Sequence, residues 1–368
     1  MTILNSAVGN YIIHNHKKYS YFAGNNYLGL ANHQDVKKAA LKCIKKYGVN
    51  FAASRCTTGT AEIHIELEKK LAAFKNKENA IVFASGYQGN SILLHVLKDR
   101  YSAVFIDQFA HPSIVSGIPK EISNIYYYRH CDSSHLENLI ELHKVENPLI
   151  ITDGIFALTG EIAPLDKIYH LIIKYNAILI VDDAHSTGVL GKNGRGTPEH
   201  FNLPDNENIY QTETMSKALG SYGGFISGSD EIVDIIQKSS ATYQASTALT
   251  PPTVGAGLGS LKVIAEKPEL RLRLLEKSIE LRKEIAALGF HTTKDNTPII
   301  PIILSKASQA KNLSAFLEEH RIIVPHVDYP IKLGSSMIRI TVSANHTNNQ
   351  TAQLLEILTK WKNKNGTN

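Results

Sequence analysis

The sequence predicts an α/β protein built on a mostly parallel, seven-stranded sheet with helices on both faces, followed by a smaller C-terminal α+β domain. Seven short apolar runs in the first two thirds of the chain are separated, in several places, by segments of helical periodicity. Such runs are typical of parallel strands that are buried on both faces. After residue 251 the pattern changes to long helical stretches and then to a few further strands.

The composition is that of a soluble globular protein. The 368 residues are 43% hydrophobic and 20% charged, with a net charge of +5, and this length is enough for about two domains. The lysines form short pairs but no basic arm, so nucleic-acid binding is not expected. No apolar run approaches the ~18 residues of a membrane span, and the amino terminus lacks a signal-peptide pattern. We therefore expect a cytoplasmic protein without a membrane span.

The cysteines and histidines show no metal-binding spacing. Three cysteines lack a CxxC pair, and sixteen histidines form no HExxH. An odd cysteine count without a secretory leader favours reduced thiols. No metal site is expected.

The amino-terminal segment, residues 1–36, contains two strand-like stretches and a turn-rich link. They cover residues 11–14, 18–22 and 24–30. Asparagines bracketed by glycines, as in the link, usually form turns, although an amide there could also face a ligand.

The large domain is predicted over residues 37–252. Helical periodicity is expected over 33–47, which crosses the start of this domain, and over 64–74. For Arg55 and His64 structural hydrogen bonding is the favoured role. The apolar runs of the sheet cover residues 80–84, 103–106, 125–128, 149–152, 177–181, 209–211 and 224–226. Helical stretches lie between several of them, at residues 90–97, 136–143 and 165–175. Because ligands of parallel sheets bind at the carboxyl ends of strands, the residues after these runs are the candidates for function.

The small domain is predicted over residues 253–368. Its long helical stretch is interrupted near Pro268 and ends at Gly289. Further strands are expected at residues 298–304, 321–324 and 337–342, and helices at 307–320 and 349–362. Arg339 lies in an otherwise apolar strand, where an unpaired guanidinium is costly. It should therefore meet a carboxylate, either of the protein or of a substrate.

A lone lysine, Lys217, lies between hydroxyl residues and glycines in the segment 212–224. A desolvated lysine can lose its proton and form a Schiff base with a carbonyl. Thr214 and Ser216 offer hydroxyl groups, and the glycines let the backbone approach a bound anion. This combination suits an aldehyde that carries a phosphate, namely pyridoxal 5'-phosphate (PLP). A surface lysine in a Ser/Gly loop is the alternative.

The strand predicted over 177–181 runs directly into Asp182-Asp183-Ala184-His185. Charges seldom follow a buried strand without a partner. A carboxylate facing a protonated pyridine nitrogen would gain about 4 kcal/mol at ~4 Å in an effective dielectric near 20. His185 could hydrogen-bond the phenolic oxygen of the ring or orient Asp182. A helix cap made by Asp183 explains one aspartate but not the other.

Two further loops follow strands of the predicted sheet. Residues 85–90, which include Gly86 and Tyr87, open a helix whose backbone N–H groups could face a phosphate. This loop lacks the pattern of a P-loop and of a dinucleotide fingerprint. His111 follows the next run and could stack on a flat ring, although a lone loop histidine is more often structural.

Three segments together resemble the α-oxoamine synthases, a family of fold-type I PLP enzymes. They are the Thr-Met-Ser-Lys-Ala-Leu-Gly run around Lys217, residues 182–191 with 194–196, and residues 25–30. Their order and spacing hold from about residue 19 to residue 358. The resemblance implies the PLP transferase fold and a homodimer with active sites at the subunit boundary.

The resemblance also implies a role for each matching residue around the ring. Lys217 would be the Schiff-base lysine and general base, and Asp182 the partner of the pyridine nitrogen. His111 would stack on the ring, and His185 would hydrogen-bond its phenolic oxygen.

The remaining implied roles concern the phosphate and the substrate. The backbone amides of Gly86 and Tyr87 and the Thr214 hydroxyl would hold the phosphate, joined by Thr247 from a second subunit. Asn25 and Arg339 would hold the carboxylate of the amino acid.

Members of this family condense a small amino acid with an acyl-CoA, releasing CoA and, in most branches, CO2. Residues 182–191 and the short chain look most like the branch that joins alanine to a pimeloyl thioester in biotin synthesis. Thr152-Asp153-Gly154 is closer to glycine C-acetyltransferase, and Ala157 stands where the family usually carries a serine. The acyl donor, CoA-bound or carrier-protein-bound, stays open. So do a serine-specific long-chain member, an aminotransferase on the same fold, and a homologue that has lost activity.

Overall fold

The structure is a computed structural model that describes residues 2–327 and 336–365. The chain forms two compact units. The first unit contains residues 1–33, 157–161 and 267–368, and the second contains residues 34–156 and 162–266. We call them the small unit and the large unit.

The large unit is built on a seven-stranded sheet. Its strands are β3 (Asn79–Phe83), β4 (Ala103–Asp107), β5 (Ile125–Tyr128), β6 (Pro148–Asp153), β7 (Ile178–Asp182), β8 (Ile209–Thr214) and β9 (Gly224–Gly228). They lie in the order β3-β9-β8-β7-β6-β4-β5. Five neighbouring strands are parallel to one another, namely β5, β4, β6, β7 and β8. Strand β9 is antiparallel to both of its neighbours, β8 and β3. The predicted seven-stranded, mostly parallel sheet is therefore confirmed.

Helices cover both faces of this sheet. They are α1 (Gln34–Tyr47), α2 (Glu62–Lys75), α3 (Tyr87–Val96), α4 (Pro112–Gly117), α5 (Ser133–His143), α6 (Leu165–Tyr175), α7 (Thr197–His200), α8 (Asp230–Ser239), α9 (Ala241–Gln244) and α10 (Pro251–Glu266). Alternate residues of one strand enter opposite cores: Ile178 and Ile180 of β7 pack in one cluster, and Leu179 and Val181 in the other. This two-sided burial explains why the strands are continuous apolar runs.

The small unit contains two three-stranded sheets. In one, β1 (Tyr11–His14) pairs with β2 (Lys17–Tyr21), which also pairs with β11 (Ile322–Ile323). In the other, β13 (Ser336–Thr341) lies between β10 (Ile299–Leu304) and β12 (His326–Val327). The helices are α11 (Glu269–Ala287), α12 (Ala307–Glu319) and α13 (Asn348–Asn365). The predicted break at Pro268 is confirmed, because α10 ends at Glu266 and α11 begins at Glu269.

Short 3-10 helices cover Leu30–Asn32 and Lys98–Arg100. Within the described ranges, the helices include none that combines the length and the apolar character needed to cross a bilayer.

Candidate active site

Lys217 lies in the tight connection between β8 and β9. The two strands pair as antiparallel neighbours as far as Thr214 and Gly224. The N–H of Met215 donates to the carbonyl of Gly223 at 2.9 Å, which closes the connection. Gly223 has a φ of +100°, a conformation that residues with a side chain rarely adopt. The closed connection leaves Lys217 half-buried at the end of β8.

Three polar side chains lie side by side where β6, β7 and β8 end. The strand register pairs Asp153 with Asp182, and Asp182 with Thr212. All three are buried. Parallel strands that end together bring these groups to one edge of the sheet, the usual place for a ligand.

The two carboxylates at this edge influence each other. Burial raises the pKa of Asp153 well above its usual range, and the charge of Asp182 raises it further. The His111 N–H, which donates to Asp153 Oδ2 at 2.9 Å, and the Lys217 ammonium lower the pKa only in part. Two buried carboxylates side by side cannot both ionise cheaply. Asp153 is therefore the carboxyl group whose ionised form is disfavoured by its surroundings.

His111 lies next to these charges, at the start of α4. It precedes Pro112, and its ring accepts the backbone N–H of Ser113 at 3.2 Å. Burial lowers the pKa of His111; the Lys217 charge lowers it further, and Asp182 opposes the shift. The imidazole is therefore neutral near pH 7.

The adjacent aspartates have different surroundings. Asp183 accepts from the Thr197 backbone N–H at 2.9 Å, the Thr197 hydroxyl at 2.6 Å and the Gln211 amide at 2.5 Å. It thus ties the first residue of α7 to the sheet, although the N-cap residue of that helix is Gly196 and not Asp183. Asp182 instead accepts from the Ala184 N–H at 3.1 Å and from the buried side-chain Nδ2 of Asn90, on α3, at 2.7 Å. His185 is buried in the turn that follows.

A narrow cradle lies at the amino terminus of α3. A Cβ on Gly86 would stand 2.8 Å from Thr214 Cβ, and a Cβ on Gly224 would stand 2.7 Å from Gly86 Cα. Only glycine fits at either position without a shift. The Thr214 hydroxyl donates to the Gly223 carbonyl at 3.0 Å, so in its pair with Ser216 Oγ at 2.7 Å it is the acceptor. To donate to a phosphate, Thr214 would have to leave Gly223.

Two residues assigned to the phosphate lie at the surface of the large unit. The Tyr87 side chain is 53% exposed, and its backbone N–H donates to Ser85 Oγ at 3.3 Å. Thr247 is also exposed, and its backbone forms an isolated bridge with Ser54. Its role with a second subunit stays a prediction.

In the small unit, Arg339 and Asn25 form a direct hydrogen bond. Arg339 lies on β13 and donates through Nη2 to Asn25 Oδ1 at 3.0 Å, through Nη1 to Thr341 Oγ1 at 3.0 Å and through Nε to the Ala157 carbonyl at 2.5 Å. In the part of the chain that the structure describes, none of its hydrogen-bond partners is a carboxylate. Burial raises the pKa of nearby Tyr27 to about 12, although Arg339 lowers it. The carboxylate expected for Arg339 is therefore not found among the described residues, and its role toward a substrate stays a prediction.

Two residues noted in the sequence have the structural roles that were favoured for them. Arg55 donates to both oxygens of Glu68, at 2.8 and 2.9 Å. His64 is fully buried, and its Nε2 lies 2.9 Å from the Leu249 carbonyl.

A cluster at the end of β4, next to β6, has side chains of metal-ligand type. Asp107, His130 and Cys131 each place a ligand-type atom within 4.8 Å of the others. The Asp107 carboxylate already accepts from the backbone N–H groups of Phe109 and Cys131, both at 2.8 Å, and lies 2.9 Å from His130 Nδ1. These bonds fasten the ends of β4 and β5 together.

The groups of the large unit fit PLP in kind and in position. Lys217 supplies an amine, Asp182 supplies a carboxylate for a ring cation, and His111 supplies an aromatic ring. The charges of Lys217 and Asp182 both affect the pKa of His111. The glycine cradle and the amino terminus of α3 suit a phosphate. This set has the chemical groups needed to hold an aldehyde, a pyridine nitrogen and a phosphate.

Sequence reasoning missed three residues of this edge as members of the site. Asp153 follows a buried strand as Asp182 does, so the same signal could have identified it. Asn90 and Ser113 gave no such signal, because their contacts depend on how α3 and α4 pack on the sheet.

The chain is similar to known enzymes over nearly its whole length. The family model for aminotransferase class I and II matches residues 18–358. A putative 8-amino-7-oxononanoate synthase of Acetivibrio thermocellus is 38% identical over 364 residues, 99% of this chain and 94% of that protein. An 8-amino-7-oxononanoate synthase of Bacillus subtilis is 36% identical over 361 residues, 97% of this chain and 91% of that protein.

Solved structures give the same result. Sphingomonas wittichii serine palmitoyltransferase matches with a TM-score of 0.93 and 25% identity, over 99% of this chain and 92% of that one. An 8-amino-7-oxononanoate synthase from Francisella tularensis matches with a TM-score of 0.81 and 29% identity, over 94% of this chain and 98% of that one. The chain therefore belongs to the aminotransferase class I and II family and, within it, to the α-oxoamine synthases, which are PLP-dependent acyltransferases.

Proposed function

We propose that the protein condenses a small amino acid, alanine or glycine, with an acyl thioester, and that its reaction is that of 8-amino-7-oxononanoate synthase in biotin synthesis. The reaction forms a bond between the amino-acid Cα and the acyl carbon, breaks the C–S bond of the thioester and releases CO2. The supporting observation is the 36–38% identity with enzymes of that name, and the action of both Lys217 and Asp182 on the pKa of His111 is consistent with it.

The residues of the large unit divide the work as follows. Lys217 would hold the cofactor through Nζ and, once its amine is free, remove the proton at the substrate Cα and return it later. Asp182 would face the ring nitrogen as its anionic partner, and His185 would donate to the phenolic oxygen. His111 would cover one face of the ring. PLP, when bound, supplies an electron sink for negative charge at Cα.

The phosphate and the substrate carboxylate have separate candidate partners. The Gly86 and Tyr87 amides and the Thr214 hydroxyl would hold the phosphate. Arg339 and Asn25 in the small unit would hold the amino-acid carboxylate, because a guanidinium binds a carboxylate through two parallel hydrogen bonds. Bound in this way, the amino acid loses freedom at Cα, which favours reaction there.

A glycine C-acetyltransferase is the second candidate, and one observation favours it. The carboxylate at the end of β6 is Asp153, the residue that the resemblance associates with that branch. Its side chain fixes the His111 backbone at 2.9 Å, so its length affects where the imidazole lies. A serine-specific long-chain member remains a further alternative.

We also propose a homodimer and a cytoplasmic location. The exposure of Thr247 is compatible with a role toward a second subunit. The cysteines Cys43, Cys56 and Cys131 are free thiols, which fits a reducing compartment. Sedimentation of the PLP-loaded protein, with and without Thr247→Ala, tests the assembly and the residue separately.

The experiment that tests the activity is thiol release across a grid of substrates. Alanine, glycine and serine are each combined with acetyl-, succinyl-, pimeloyl- and palmitoyl-CoA and with a pimeloyl carrier protein. We expect the highest kcat/KM for alanine with a pimeloyl thioester. Preference for glycine with acetyl-CoA would select the second candidate. Amino transfer to a keto acid without thiol release would identify an aminotransferase and overturn the proposal, and so would the absence of both activities.

A further inference from the structure

A buried asparagine connects the carboxylate and the imidazole of the candidate site. Asn90 lies on α3 and is fully buried. Its Nδ2 lies 2.7 Å from Asp182 Oδ2 and 2.9 Å from Ser113 Oγ, and its Oδ1 lies 2.8 Å from Thr212 Oγ1. One side chain thus contacts β7, β8 and α4.

The directions of these hydrogen bonds follow from the chemistry of the groups. An ionised carboxylate only accepts, so Asn90 must turn its NH2 toward Asp182 and its carbonyl toward the Thr212 hydroxyl. The second N–H of that NH2 group then points to Ser113 Oγ. Every hydrogen-bonding atom of the Asn90 amide is engaged, and its orientation is fixed.

The same reasoning extends to His111. The Ser113 hydroxyl lies 2.7 Å from His111 Nδ1. Its oxygen accepts from Asn90 through a lone pair, so its one proton is free to be donated to Nδ1. The Ser113 backbone N–H also points at Nδ1, at 3.2 Å. A ring nitrogen that accepts two hydrogen bonds carries no proton, so a neutral His111 carries its proton on Nε2.

We infer that Asn90 is a positioning residue that fixes the orientation of the Asp182 carboxylate and, through Ser113, holds a neutral His111 as its Nε2–H tautomer. The use of this arrangement in catalysis rests on the proposed function, whereas the hydrogen bonds themselves do not. With PLP bound, Asp182 would face the ring nitrogen in one fixed orientation, and an uncharged imidazole would cover the ring face. His111 Nε2 can then only donate to a substrate.

Ser113→Ala separates the His111 end of the network from the Asp182 end. It removes the hydroxyl proton that points at Nδ1 and leaves the bond between Asn90 and Asp182. The matched control is Ser260→Ala on α10: Ser260 is fully buried as well, and its hydroxyl has no hydrogen-bond partner among the described residues. Both changes delete one buried hydroxyl, so a general effect of such a deletion appears in both.

The experiment measures the histidine tautomers by ¹⁵N NMR of the full-length protein, with and without added PLP. The His111 signals are assigned by their loss in His111→Gln. We expect unprotonated Nδ1 and protonated Nε2 in the unchanged protein, a mixture of tautomers in Ser113→Ala and no change in Ser260→Ala. A protonated Nδ1, or an unchanged tautomer in Ser113→Ala, would overturn the inference. Because the signals are also measured without PLP, this result is independent of whether the protein catalyses the proposed reaction.

The Asp182 end is tested by PLP affinity. In Asn90→Ala, a charge-assisted hydrogen bond to Asp182 is lost, and we expect the dissociation constant of PLP to rise about 10- to 100-fold. In an Asp182→Asn background the same change should have less than about a threefold effect, because no anion remains to be held. An equal effect of Asn90→Ala in both backgrounds would show a merely structural role and contradict the inference.

Discussion

Lys75 and Glu213 form an ion pair in which neither side chain is exposed to solvent. Lys75 ends α2, and Glu213 immediately precedes Thr214 on β8. Burial raises the pKa of Glu213 to about 7, although the Lys75 charge lowers it. The pair therefore joins a helix to the strand that leads into the Lys217 connection.

We expect either single change, Lys75→Met or Glu213→Leu, to lower the free energy of unfolding by about 3–5 kcal/mol, because each leaves one buried charge without its partner. The double variant should recover most of this loss, since it buries no charge. Urea unfolding of the four proteins measures the coupling. Losses that simply add in the double variant would contradict the interpretation of Lys75 and Glu213 as a coupled pair.

The amine of Lys217 is the group on which the proposed chemistry depends. Lys217→Ala should lower turnover by about 10⁴-fold or more, since it removes both a general base and the covalent attachment of PLP. The visible absorbance of the lysine-linked cofactor should disappear with it. Lys217→Arg is the control, because it keeps a positive charge but cannot form a Schiff base. Undiminished thiol release by either variant would refute the assigned role.

The adjacent residues Asp182 and Asp183 offer a matched comparison. An attraction of about 4 kcal/mol between Asp182 and a ring cation predicts that Asp182→Asn lowers kcat by about 10³-fold. Asp183→Asn should instead lower the melting temperature, because Thr197 and Gln211 lose an anionic acceptor. Steady-state kinetics and thermal unfolding of both variants distinguish the two roles. Similar kinetic losses in both would show that the role toward the ring nitrogen does not belong to Asp182 alone.

The sequence predicts the fold and the strand-end residues because both depend on local patterns. The run before Asp182 is apolar at every position, since β7 is buried on both faces, and a carboxylate directly after it is visible without a structure. The antiparallel direction of β9 is not visible in this way: the apolar run at 224–226 has the same composition whichever direction the strand takes. Direction depends on the short connection through Lys217, which cannot form a parallel crossover.

The hydrogen bonds that Asn90 makes to residues of the site could not be predicted for a different reason. Asn90 lies in the middle of a helix, where an asparagine carries no positional signal. Its partners come from β7, β8 and α4, and only the packing of α3 on the sheet brings them within hydrogen-bond distance. Periodicity places a residue on a buried face, but it does not identify the polar groups found there.

Arg339 should affect the binding of the amino acid more than that of the acyl thioester. Arg339→Met removes the guanidinium, and we expect KM for alanine to rise about 10- to 100-fold, the loss of a charge-assisted bond. Arg282→Met is the control in the same unit: Arg282 is also buried, but it donates to the carbonyls of Thr297 and Ile299, at 3.1 and 2.8 Å. It should lower stability and leave KM unchanged. Equal KM values for Arg339→Met and the unchanged protein would refute the carboxylate role.

His346 predicts how stability depends on pH. Its Nδ1 accepts the Ser343 N–H at 3.0 Å, so its proton is on Nε2, which donates to the Tyr21 carbonyl at 2.9 Å. Burial lowers the pKa of His346 to about 4, from about 6.5 in the unfolded chain. Between these values the unfolded chain binds the proton and the folded protein does not. Stability contributed by the neutral ring is therefore complete above about pH 6.5 and is lost as the pH falls toward 4.

The difference between the two pKa values corresponds to about 3 kcal/mol. His346→Gln should remove this part of the pH dependence, because glutamine keeps a donor and an acceptor but does not titrate in this range. Urea unfolding at pH 7, 6, 5 and 4.5 measures the free energy of unfolding of both proteins. His291→Gln, at an exposed position of the same unit, is expected to keep the steeper profile. If His346→Gln loses stability on acidification as steeply as the unchanged protein, the ring is not the group that titrates.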